Sequence, residues 1–121
     1  MKKLTWLFYA FVCITFFSCR HHDVDITYND ADHHYSMDAY FNKEKTREIE
    51  YYLDRKLGRA SNISFVNTNS DAMLTLHDHT KFYIRKAPGH IRIKLNKDEN
   101  SYAAYHKIKS MCEGMETVLA R

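Results

Sequence analysis

The stretch LTLHDHTKFYIRKAPGHIRIKL, residues 74–95, decides the fold. Apolar residues occupy every second position: Leu74 and Leu76, then Phe82 and Ile84, then Ile91, Ile93 and Leu95. Side chains of a strand alternate between two faces, so period two marks strands with one buried side. Ala87-Pro88-Gly89-His90 reads as a type II turn, with proline presetting the second position and glycine supplying the positive φ of the third. A two-residue Pro88-Gly89 connection sets Ile84 opposite Ile93 and Phe82 opposite Leu95. A five-residue loop over 77–81 sets Leu76 opposite Phe82 and Leu74 opposite Ile84. A one-residue slip would turn every apolar side chain to the wrong face, so agreement between registers is informative.

Upstream, Ile63 and Phe65 alternate with Ser64 and Val66, and Asn67-Thr68-Asn69-Ser70-Asp71 is a polar loop. Pairing Val66 with Asp71 puts Ile63 opposite Leu74 and Phe65 opposite Ala72, on the same face as the rest. This predicts a four-stranded antiparallel meander. On either side the period changes. Phe41, Ile49, Tyr52, Leu53 and Leu57 lie at helical spacing, with Ser36 or Asp38 as cap and Gly58 as stop. After the strands, Ala104, Tyr105, Ile108, Met111, Cys112, Met115, Val118 and Leu119 form a broad apolar stripe. That helix begins near Asn100 or Ser101, and Gly114 within it marks a close contact or a kink. The expected fold is α+β, a two-layer sandwich ordered helix, four-stranded antiparallel meander, helix.

The start of the chain has a different character. Met1-Lys2-Lys3 precedes an almost wholly apolar run, Leu4 to Phe17, and Ser18-Cys19 follows. A basic start, a short apolar core and a small residue before the cut describe a secretory signal. The run falls short of the roughly 20 residues that span a bilayer. Phe16-Phe17-Ser18-Cys19 resembles the lipobox of bacterial lipoprotein precursors. The resemblance covers about the first twenty residues. It implies cleavage before Cys19 and a covalent lipid on that cysteine. It also implies an address in the bacterial cell envelope, held to a membrane by the lipid. Residues 1–18 are then signal peptide, 19–35 a lipidated cysteine with a polar tether, and 36–121 one small domain. Val24, Ile26 and Tyr28 alternate within the tether, as a short edge strand would.

Of three cysteines, Cys13 leaves with the signal and Cys19 takes the lipid. Cys112 remains in an apolar stripe and reads as a buried small hydrophobe. The whole chain carries a formal charge of +3. Removing Lys2 and Lys3 leaves a domain near neutrality, which argues against nucleic acid as a partner. With three glycines and one proline, the chain is unlike a disordered or loop-dominated one.

No catalytic signature occurs: there is no Gly-x-Ser-x-Gly, His-Glu-x-x-His, phosphate loop or Cys-x-x-Cys. The sequence therefore reads as non-catalytic, with no cofactor beyond the lipid. Two features stand out. The first is the count of eight histidines, which offers zinc or copper ligands and makes a metal-binding envelope protein the alternative reading. His77 and His79 are the nearest to a ligand pair, although the registers put them in a turn. The second is the outward sheet face. The register places Tyr83 opposite Lys94 and Arg85 opposite Arg92. Two arginines directly across from each other repel. They make either a solvated charged face or a contact for an acidic protein or an anionic envelope component. Tyr83, Arg85, Arg92 and Lys94 are the candidate binding residues.

Overall fold

The computed structural model describes residues 24–61 and 63–121. Among these, five strands form one antiparallel sheet. They are β1 (Asp25–Asp30), β2 (His34–Tyr40), β3 (Ser70–Thr75), β4 (Lys81–Ala87) and β5 (His90–Asn96). Helix α1 (Thr46–Ser61) joins β2 to β3, and α2 (Tyr102–Leu119) ends the chain. The sheet order is β1-β2-β5-β4-β3. The N-terminal hairpin thus sits beside the last strand, and α1 carries the chain to the far edge. The meander then returns across the sheet to meet β2.

The α+β class and the β4–β5 hairpin agree with the sequence reading. Ile84 faces Ile93, Tyr83 faces Lys94 and Arg85 faces Arg92. Gly89 takes φ +77°, and Ala87 pairs with His90 across the turn. The Gly89 amide donates to Thr46 Oγ1 at 3.0 Å, and its carbonyl accepts from the Phe41 amide at 2.9 Å. The start of α1 therefore clasps this turn.

Five expectations are corrected. Residues 34–40 are a strand and not the first turns of a helix. Tyr35, Met37, Ala39 and Phe41 are buried at period two, whereas Met37 and Phe41 alone also fit a helical spacing. Helix α1 starts instead after a 3-10 turn at Lys43–Lys45, whose cap Asn42 accepts from the Glu44 amide at 3.1 Å. It continues through Gly58 to Ser61. Residues 25–30 are sheet and not tether, because Ile26 and Tyr28 pair with Ala39 and Met37. Ile63–Val66 is not a strand. The Phe65 amide is taken by Asp54 Oδ1 at 2.6 Å, and the Phe65 ring is buried while Ile63 is exposed. The meander proper therefore has three strands, and the hairpin supplies the other two. The β3–β4 register is offset by two residues from expectation, with Leu74 opposite Phe82 and Ala72 opposite Ile84. Inward and outward faces are unchanged by that offset.

The inner face of β2, β4 and β5 packs beneath both helices. Met37, Ile84, Ile91 and Ile93 meet Ile49, Leu53 and Leu57 of α1 and Ile108, Cys112 and Met115 of α2 in one core. Burying each such side chain contributes about 1.5–3 kcal/mol. Ser101 caps α2, its Oγ accepting from the Ala104 amide at 3.0 Å. Where the helices touch, the Tyr52 hydroxyl donates to the Met111 carbonyl at 2.8 Å. A Cβ on Gly114 would run into the Tyr52 phenol. Gly114 thus marks a close contact between helices.

One charge enters this core. Alternation along β4 turns Lys86 inward with Phe82 and Ile84, leaving it 2% exposed. Glu50 of α1 meets it at 2.6 Å and is 5% exposed. Each charge is tolerable there only because the other is present.

Candidate site on the outer sheet face

The outer face carries the four candidate binding residues. Cross-strand pairing lines up Thr27, Asp38, Arg92, Arg85 and Asp71 across all five strands. The neighbouring row is Asn29, Ser36, Lys94, Tyr83 and Met73. Tyr83, Arg85, Arg92 and Lys94 therefore form one contiguous group at the middle of the sheet.

The electrostatics differ from a purely basic patch. Asp38 accepts from Arg92 Nη2 at 2.9 Å, and its other oxygen lies 2.6 Å from His90 Nε2. Burial works against the charged form of Asp38, but the Arg92 and His90 contacts outweigh it and hold the carboxyl below its usual range. Tyr40 stacks on the His90 ring at 4.4 Å between centroids. This fixes an Asp38–His90–Arg92 set at one end of the patch. At the other end, the Tyr83 hydroxyl donates to Asp71 Oδ1 at 2.5 Å, which disfavours its ionisation. Asp38 and Asp71 thus temper the positive charge. Both were hidden from the sequence reading, one inside an expected helix and one inside an expected loop. The alternation of Asp38 with buried Met37 and Ala39 is the signal that could have found it.

Arg85 and Lys94 differ from Arg92. Neither forms an ion pair among the described residues. Both are exposed, and Tyr83 stands between them in the weave of the two strands. Asp38 forms an ion pair with Arg92, whereas Asp71, opposite Arg85, is engaged by the Tyr83 hydroxyl.

The histidines are spread out. His77 and His79 lie in the β3–β4 turn, where His79 adopts φ +71° and the Asp78 side chain accepts from the Thr80 amide at 3.1 Å. His33 lies 3.1 Å from Asp98, and His106 lies 2.7 Å from the Tyr102 hydroxyl. Among the described residues, no group of three or more His, Cys, Asp or Glu converges as a metal site would. Cys112 is buried in the core, and burial pushes its thiol up to about 12. A thiol so placed is a poor nucleophile. No helix among the described residues is long and apolar enough to cross a membrane. Cys19 and the expected signal peptide lie outside the described residues. Comparison with protein-family models, with curated proteins and with solved structures found no match.

Proposed function

We propose that this chain is a bacterial envelope lipoprotein, anchored by lipid on Cys19, whose domain is a non-catalytic binding module. It holds a protein partner that presents carboxylates to Arg85 and Lys94 on the open sheet face. The observation that carries this reading is the contrast between neighbours. Arg92 is neutralised and held by Asp38, while Arg85 and Lys94 stand free beside Tyr83. Free cations next to an aromatic ring on a rigid sheet suit a carboxylate-bearing surface, since arginine offers a planar fork of donors and tyrosine gives contact area at small entropic cost.

The anchor makes the arrangement local. Only Arg20 to Val24 separate Cys19 from the first strand residue, Asp25. A chain that short reaches roughly 20 Å at full extension. The domain therefore works against the membrane surface, and its partner is another envelope protein.

The test uses the full chain in its native envelope, with a photo-crosslinking residue in place of Met73 at the margin of the patch. A discrete crosslinked product is expected, lost on Arg85→Glu with Lys94→Glu and retained on Lys56→Glu, a change on α1. A product unaffected by the sheet-face reversals would remove the patch from the function. Mass spectrometry of wild type against Cys19→Ala checks the anchor separately. An acyl increment on the wild-type N-terminal peptide is expected, and its absence refutes lipidation.

A further inference from the structure

β3 is an edge of the sheet, with β4 on one side and no strand on the other among the described residues. Main-chain bonding in an antiparallel pair alternates residue by residue. The Leu76 amide donates to the Thr80 carbonyl at 2.9 Å, which sets the phase. In steps of two, Leu74, Ala72 and Ser70 then bond to Phe82, Ile84 and Lys86 of β4. Asp71, Met73 and Thr75 therefore aim their amide and carbonyl groups out of the open edge. No group among the described residues meets them there.

Such a row is a template for another strand, and proteins blunt it with lysine, proline or a bulge. β3 has none of these. It reads SDAMLT, with one charge, and its register with β4 is unbroken over all 6 residues. Met73 is 60% exposed and Ala72 is exposed, although both are apolar. The β1 edge differs. Asp25, Asn29 and Asp30 make it polar, and the side chains of Tyr28 and Asp30 are tied to Glu116 and Lys109 of α2.

We propose that β3 pairs antiparallel with β3 of a second copy, joining two sheets into one. The strand itself selects the register. Centred on Met73, the pair sets Met73 against Met73, and Asp71 against Thr75 on both sides of the axis. Every outward main-chain group of both strands is then used. Each Asp71 spends Oδ1 on the Tyr83 hydroxyl, and its Oδ2 can accept from the facing threonine hydroxyl. On the helix side Ala72 meets Leu74, so both apolar side chains leave water. Centring the pair on Asp71 would oppose two carboxylates, which repel. Moving the centre to Ala72 or Leu74 leaves Thr75 or Asp71 beyond the end of the opposite strand.

The two-fold axis of this pair is normal to the sheet, so both outer faces look the same way. Lys94, Tyr83 and Met73 of one copy run on into Met73, Tyr83 and Lys94 of the other. Three strand spacings of about 4.8 Å separate the two Tyr83 positions, roughly 14 Å in all. One strand pair is small beside a standard interface, so it is read by crosslinking at native density and not in dilute solution.

The test coexpresses two differently tagged full chains in the native envelope, one with Asp71→Cys and one with Thr75→Cys, and oxidises them with copper phenanthroline. A mixed disulfide dimer is expected. Asp71→Cys alone should not dimerise, because its two copies lie four residues out of line, whereas Met73→Cys alone should. Asn29→Cys on the β1 edge should stay monomeric. Adding Met73→Lys, which opposes two cations on the axis, should cut the mixed product several-fold. A photo-crosslinker at position 73 would also join two copies, a product that its mass of two chains separates from any adduct with another protein. The proposal is overturned if Met73→Cys stays monomeric, or if Asp71→Cys dimerises alone as readily as the mixed pair.

Discussion

Lys86 occupies an inward position on β4 that an aliphatic side chain would fill without any electrostatic demand. Its partner Glu50 sits 2.6 Å away on α1, and both are almost wholly removed from water. Removing one member of such a pair leaves the other buried and uncompensated, whereas replacing both with apolar residues of similar size is often neutral. Lys86→Met and Glu50→Ala should each destabilise the protein by about 3–5 kcal/mol in urea unfolding. Lys86→Met with Glu50→Leu should recover most of that loss. If the double variant is as unstable as the singles, the pair is not the source of the cost. At the same scale Cys112 is a packing residue. Its thiol rises toward about 12 because burial opposes the thiolate, and only the Tyr35 hydroxyl acts in the other direction. A folded-state value above the ordinary 9.0 stabilises the protein below pH 9, and the contribution fades as pH climbs toward 12.

Among the elements, the β4–β5 hairpin is the most tightly specified. Gly89 has positive φ, and a Cβ there would sit 2.9 Å from the Phe41 carbonyl oxygen. Gly89→Ala should therefore cost about 1–3 kcal/mol, combining left-handed strain with displacement of the segment that leads into α1. Gly58 makes the opposite case. It lies inside α1, with ordinary contact at 3.8 Å to the Ile63 carbonyl oxygen. Gly58→Ala should stabilise by about 0.5–1 kcal/mol. Urea unfolding of both variants checks the pair, and a destabilised Gly58→Ala would argue that α1 ends there in solution. These two glycines also explain what the sequence revealed. Pro88-Gly89 fixes its own register chemically, so β4 and β5 were legible down to individual pairs. Helix α2 was legible because its stripe is long and Ser101 caps it. Residues 34–41 were not, because Met37 and Phe41 fit a helical spacing while Ser36 and Asp38 resemble caps. Their strand form is decided by pairing with Ile91, Ile93 and Leu95, residues far along the chain. Ile63–Val66 failed for a related reason: a side chain on α1, Asp54, captures the amide that a strand neighbour would need. The candidate face inherited both limits. Its cations were visible in β4 and β5, but Asp38 and Asp71 came from elements whose placement depends on distant partners.

For the molecule as a whole, acid should release the N-terminal hairpin from α2. Hydrogen bonds from Lys97 and Tyr105 hold Asp30 near pKa 2, and a hydrogen bond from Lys107 holds Asp78 near 2, against an ordinary 3.8. A depressed carboxyl contributes stability that is full above the ordinary value and is lost as pH falls through the folded one. Tm should be nearly level between pH 7 and 5 with respect to these groups and then fall between pH 4 and 2. Asp30→Asn should start lower at neutral pH and fall less over that interval. An equal fall in both proteins would mean that Asp30 does not link the hairpin to the helix.

The strand order carries a further consequence, for the timing of folding. β5 lies at the heart of the sheet, yet this inner neighbour of β2 is made only after α1, β3 and β4 have emerged. Until then the hairpin of β1 and β2 has one open flank and no floor, and two strands alone are marginal in water. Closure is a non-local event and correspondingly slow. Completion of the sheet thus waits on the pairing of β5 with β2, strands separated by α1, β3 and β4.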